Sequence, residues 1–287
     1  MHTLEAILVR AAVKPTLKIC LRSLRRTEPV RGGKQMIYFG VTLRSKASAK
    51  NWEHVERDFN RTLRSLYRQT DPEFRIIVAC HDIPRLDAAY DERVEFVTTD
   101  IPTPKTPFEM MQDKGYKLSM IGKRVREYGG GYTMIVDADD LISNRVAAYV
   151  KQHPGENGFG AEYGYVYNVG DSFVKRMYAL DRVCGSCTII RYDPQELPAV
   201  LPDGPQDESS VESMIIRRPH STLQRYMASI GRPVRRIPFP TTVYIRNTGD
   251  NHSMLNGGDL GWKRKIELLL RRPRALSGIA EEFGLEK

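Results

Sequence analysis

Apolar positions come first in long continuous blocks and then, further along the chain, in short ones. Met36 to Leu43 is rich in β-branched and aromatic residues and predicts a strand. Trp52, Val55, Phe59, Leu63, Leu66 and Tyr67 then recur on one helical face, with Asn51 placed to cap the helix and Asp71-Pro72 to stop the chain beyond it. Phe74 to Cys80 reads as a buried strand and Arg93 to Val97 as a short one. The proline-rich stretch 101–107 must be a loop. Leu118, Ile121, Val125 and Tyr128 mark a second amphipathic helix, which Gly129-Gly130-Gly131 ends before the strand Tyr132 to Val136. Strands that are apolar throughout and separated by helices predict a mostly parallel sheet covered on both faces.

The second half changes character. Tyr163 to Val169, Phe173 to Tyr178 and Cys187 to Arg191 predict shorter, more antiparallel strands. Helices are expected over Asp207–Arg217 and Ser221–Ile230, and a last strand around Thr242–Ile245. The expectation is one α/β domain with a mixed, mostly parallel sheet over residues 35–261. It would be flanked by a basic N-terminal extension, 1–34, and a basic amphipathic helical tail, 262–287.

Charge sharpens that division. The 287 residues hold 44 Lys and Arg against 35 Asp and Glu, a net +9. Residues 1–34 carry eight basic and two acidic side chains, residues 262–274 six and one, and residues 275–287 one and three, so the body over 35–261 is neutral. A neutral body argues against an enzyme whose whole groove tracks nucleic-acid phosphates. The basic ends suit an anionic surface such as the cytoplasmic face of a membrane, or serve simply as solvated tails. No apolar run is long enough to span a bilayer, Ala6 to Val9 is too short for a secretory segment, and four cysteines are too few for a disulfide scaffold. A cytoplasmic location is the expectation.

Candidate chemistry gathers at Asp137-Ala138-Asp139-Asp140, directly after the strand YTMIV. Ligands bind at that edge of an open parallel sheet. Three carboxylates in four residues repel one another unless a cation or a set of donors compensates them, and hard oxygen ligands suit Mg²⁺ or Mn²⁺. The competing reading makes them caps for a helix beginning near Ser143. Cys184-Gly185-Ser186-Cys187 leads into a strand rather than a helix, so a small-residue turn fits it better than a redox dithiol. The triple glycine matches no phosphate-binding loop, and no G-x-S-x-G elbow exists.

Three landmarks in order, from Tyr38 to Ser253, resemble the GT-A glycosyltransferases, and most closely glycosyltransferase family two. They are Arg61 to Thr70 followed by FRIIVACHD, the acid-bearing strand MIVDADD, and the segment Tyr244 to Ser253, which resembles the family's Y-R-x-x-G-x-N-x-S signature. The resemblance implies a GT-A, Rossmann-like fold and a nucleoside-diphosphate sugar donor with Mn²⁺ or Mg²⁺. It implies contacts from Asp137 to the donor ribose and the metal, from Asp139 to the metal, and a further metal ligand in His252. Asp82 falls where the family holds the nucleobase, while Lys117, Lys123 and Arg44 are candidate cations for the donor. In Gln206-Asp207-Glu208, Asp207 is the first candidate for the base of an inverting transfer and Glu208 the second. The acceptor would be a hydroxyl of a saccharide or a lipid-linked glycan, in surface polysaccharide or glycan synthesis. The alternatives are a nucleotidyltransferase, although Thr42 to Ser48 lacks the glycines of its phosphate loop, and a non-catalytic sugar- or membrane-binding module.

Overall fold

The computed structural model describes residues 36–207, 214–246 and 270–285. The N-terminal extension 1–34 and the candidates Glu208 and His252 lie outside these residues. The described chain is α/β, with two mixed sheets and helices against them.

The larger sheet is built on four parallel strands: β1 (Ile37–Thr42), β2 (Phe74–Cys80), β3 (Val94–Thr98) and β4 (Gly131–Asp137). They lie in the order β3-β2-β1-β4. Thr42, Ala79 and Asp137 are in register, so β1, β2 and β4 end close to the same level. The chain moves outward from β1 through β2 to β3 and then crosses back to β4, which puts a topological switch point between β1 and β4. A crevice opens at the carboxyl ends of strands at such a point.

Two long helices cover this unit. In α1 (Trp52–Tyr67), the Asn51 side chain accepts the His54 N–H at 3.2 Å, and Phe59, Leu63 and Leu66 are fully buried. In α2 (Pro107–Glu127), Thr106 and Glu109 form a reciprocal capping box with Pro107 at the first position. Gly40 lets α2 approach β1, because a Cβ there would stand 2.7 Å from Ile121. Gly129 and Gly130 end the helix in left-handed conformation, at φ +92° and +80°.

Beyond β4, the chain forms β5 (Leu141–Ile142), α3 (Val146–Gln152), β6 (Gly158–Ala161), β7 (Tyr163–Asn168), β8 (Phe173–Tyr178) and β9 (Thr188–Tyr192). After α4 (His220–Ser229) come β10 (Arg235–Ile237), β11 (Thr242–Arg246), β12 (Pro273–Ala275) and α5 (Ala280–Phe283). β9 runs antiparallel between β4 and β6, and β10 completes the large sheet. The second sheet has the order β12-β8-β7-β11-β5.

The strands expected at 163–169, 173–178, 187–191 and 242–245 are present to within a residue or so, and α4 matches the helix expected over 221–230. β5, β6 and β10 have only two to four residues each, too few to show a period. Of the helix expected over Asp207–Arg217, the described part is a single 3₁₀ turn at Ile215–Arg217.

The expected basic tail is corrected over its described part. Residues 270–285 belong to the body: β12 pairs with β8, Ile279 and Phe283 are buried, and Ser143 Oγ donates to Glu282 Oε1 at 2.6 Å. Leu276, Ile279, Phe283 and Leu285 pack in a core cluster with Tyr165, Val174 and Ile245, whereas Leu270 is exposed.

Candidate active site

A cavity of about 310 Å³ opens at the switch point, between the ends of β1 and β4. Thr42, Leu43 and Arg44 form one wall, and Asp137, Ala138 and Asp139 another. Helix α2 adds Met110, Asp113, Lys114 and Lys117. Their spacing of i, i+3, i+4 and i+7 is one stripe of a helix. Asp58 from α1, His220 at the start of α4 and Tyr244 from β11 also face it.

The three acids have three different surroundings. Asp137 is fully compensated: Lys114 Nζ donates to Oδ1 at 2.6 Å, and the Gly185 N–H donates to Oδ2 at 3.3 Å. Burial pushes this carboxyl up, but the Lys114 ammonium outweighs it and holds Asp137 below the usual carboxylate range. Gly185 is required for that approach, since a Cβ there would stand 2.9 Å from Asp137 Oδ2.

Among the described residues no cation bonds to Asp139, and Lys114 lowers it only through space. Burial, then the Asp137 carboxylate and Asp58, push it up to about 7. Asp140 faces away from the cavity and is fully buried. Its Oδ2 accepts Ser186 Oγ at 2.7 Å and Cys184 Sγ at 3.1 Å, and its Oδ1 accepts the Ile245 N–H at 3.4 Å. It ties the end of β4 to the segment before β9 and to β11. Ser186 Oγ also accepts the Asp137 N–H at 2.8 Å, and Thr62 of α1 donates to the Ala138 carbonyl at 3.0 Å. The acidic turn is therefore held from three sides. These contacts also correct the capping alternative, because α3 begins at Val146 and its cap residue, Arg145, makes no side-chain cap bond.

The Cys184–Cys187 segment serves as a brace. Both thiols are buried, which pushes them up, Cys187 to about 12, and Cys187 Sγ donates to the Cys184 carbonyl at 3.1 Å.

Other candidates are distributed unevenly. Arg44 lines the cavity. Lys117 borders it too, but its side chain is only 1% exposed; Nζ donates to the Leu43 carbonyl and to Asp113 Oδ2, each at 2.7 Å. It fixes α2 to the end of β1. Asp82 is not a wall of the cavity; its Oδ2 accepts the Lys46 N–H at 2.7 Å and holds the turn after β1. Lys123 pairs with Glu127 on the outer side of α2. Asp207 lies in the loop after β9 and does not line the cavity, so the described residues do not bring it against the acidic pair.

Lys114, His220 and Asp58 were not anticipated. The stripe on α2 was a readable signal, because Met110, Asp113, Lys114 and Lys117 share a helical face. His220 follows Pro219 and had no motif to announce it. Burial lowers its imidazole more than the neighbouring Asp137 raises it, so it is held neutral.

Among the described residues, no group of three or more His, Cys, Asp or Glu side chains is arranged to hold a metal. Two carboxylates suffice where substrate phosphates complete the shell, as is common for Mg²⁺. Asp137 and Asp139 are hard oxygen donors, and Asp139 is a poorly compensated charge that a cation would relieve. The donor set fits a divalent ion held jointly with a phosphorylated ligand. No protein-family model matches the chain, and no curated protein matches its sequence.

Proposed function

We propose that the chain is a metal-dependent glycosyltransferase of GT-A type, acting on a nucleoside-diphosphate sugar. The observation that carries this reading is the acidic pair Asp137/Asp139 at the switch point, one carboxyl compensated by Lys114 and the other left at about 7, in a cavity that also holds Arg44. The sequence resemblance supplies the reaction class; the cavity's charges supply the fit.

In this reading Asp137 and Asp139 would hold Mn²⁺ or Mg²⁺ against the donor diphosphate. Such an ion is a Lewis acid that neutralises the leaving diphosphate. Lys114 and Arg44 supply further positive charge to the phosphates, and α4 starts at the same wall with its positive end. Leu43, Pro104 and Met110 add apolar surface to the cavity lining.

The transfer breaks the bond between the anomeric carbon and the diphosphate oxygen, and forms one from that carbon to the acceptor oxygen. The acceptor's proton goes to a base as its oxygen attacks, with inversion. Asp207 or Glu208 is that base by resemblance. His220 is a second reading, because it is a neutral imidazole already in the cavity wall.

The nucleotidyltransferase reading has less support: the segment after β1 is a 3₁₀ turn at Lys46–Ser48 without glycine. Among the described residues no helix is long and apolar enough to cross a membrane. A cytoplasmic enzyme touching a membrane through residues 1–34, with a saccharide or lipid-linked acceptor, is part of the proposal.

A panel of nucleoside-diphosphate sugars, scored by thermal shift with and without Mn²⁺, tests it. At least one should raise the melting temperature in a Mn²⁺-dependent manner. No shift from any of them would overturn the reading, and binding without transfer or hydrolysis would favour a non-catalytic module.

A further inference from the structure

Two lysines on the same stripe of α2 are held in opposite ways. Lys117 is a buried strut, bonded to Leu43 and Asp113 and fixed from both sides. Among the described residues Lys114 bonds to Asp137 Oδ1 alone, and its side chain is 42% exposed where it lines the cavity. It can leave Asp137 without unpacking the core. While it stays, both oxygens of Asp137 are engaged by protein donors, one by the ammonium and one by the Gly185 N–H. A cation approaching the acidic pair meets a positive charge already on its first ligand.

We propose that Lys114 is a movable counter-cation that gates the acidic pair: seated on Asp137 in the nucleotide-free cavity, it transfers to an incoming diphosphate and so frees Asp137 for a divalent ion. This inference rests on the donor-site reading above and adds a consequence to it. The ammonium and the ion exclude each other at Asp137, and the diphosphate removes the ammonium. Nucleotide and ion therefore bind cooperatively, each strengthening the other by the same factor. Lys114 is in this sense a positioning residue. It keeps the acidic pair from collecting stray divalent ions and releases it when the ligand that needs the ion arrives.

The test measures Mn²⁺ binding to the full chain by electron paramagnetic resonance, and UDP and GDP binding by calorimetry, in wild type, Lys114→Met and Lys114→Arg. In Lys114→Met, Mn²⁺ alone should bind about tenfold more tightly, nucleoside diphosphate alone more weakly, and the cooperativity between them should fall by about tenfold. Lys114→Arg keeps the charge and the reach to Asp137, so it should restore the wild-type pattern. Lys114→Met with unchanged or weaker Mn²⁺ affinity overturns the gate. So does an equal gain with and without nucleotide, which marks simple removal of a charge. If wild type binds Mn²⁺ with neither nucleotide, the donor-site reading falls and the gate with it. If wild type binds them cooperatively and Lys114→Met does too, only the gate falls.

Discussion

Asp139→Asn is expected to stabilise the metal-free protein, and to do so more at pH 8 than at pH 4. Asp139 is the poorly compensated member of the acidic pair, raised from 3.8 to about 7 by burial and then by Asp137. A carboxyl whose folded value is raised contributes its full stability only below its unfolded value, and loses it as pH rises through the folded one. The wild type should therefore fall behind the variant between about pH 4 and pH 7, with the gap constant above that. At about 1.4 kcal/mol per factor of ten, the displacement from 3.8 to about 7 sets an upper limit of about 4 kcal/mol. The group faces a solvated cavity, so about half of that, ~2 kcal/mol, is the working figure. With a urea slope of about 2 kcal/mol per molar, the midpoint should move by about 1 M. Urea titrations in EDTA at pH 4, 5 and 8 read this directly. A variant no more stable than wild type at pH 8, or one with the same advantage at pH 4 and pH 8, would refute the reasoning.

Asp137→Asn should behave in the opposite way. Its carboxyl is held low by Lys114 against the upward push of burial, so its stabilisation is present above its unfolded value and lost as pH falls through its lower folded one. With Lys114 partly exposed, the loss at pH 8 should be about 1 kcal/mol, and the same urea series should show it vanish in acid. Lys117→Met leaves the Asp113 carboxylate buried without its partner, and should cost about 3–5 kcal/mol in denaturation midpoints. Phe283→Ala should cost about 3–5 kcal/mol as well, because Phe283 is fully buried against Tyr165. A free tail would show no change in calorimetric melting.

The parts of the fold that could be read in the sequence are those where one local signal decides the matter. β1, β2 and β4 are continuous apolar runs, α1 and α2 have caps and a clear face, and Asp137 and Asp139 follow a strand directly. What escaped depends on partners distant in sequence. β5, β6 and β10 exist because neighbouring strands pair with them, and nothing within two to four residues announces that. Asp137, Asp139 and Asp140 look alike in the sequence. Only Lys114, 23 residues earlier, and Ser186, 46 residues after Asp140, make them a compensated acid, a half-buried acid without a bonded cation and a buried tie. Lys114 and Lys117 also look alike, although the Asp113–Lys117 spacing of four was a legible hint that Lys117 is occupied within its own helix. Asp82 follows β2 as expected, yet the turn at Lys46 claims its carboxylate. Position along the chain could not reveal that.

Calorimetric titration of UDP and GDP, with and without Mn²⁺, into wild type and Asp139→Ala tests the central claim most directly. The account predicts that at least one nucleoside diphosphate binds wild type in a Mn²⁺-dependent manner, and that Asp139→Ala loses the Mn²⁺ dependence while staying folded. Absence of binding to wild type, or Mn²⁺-dependent binding that persists in Asp139→Ala, would contradict it.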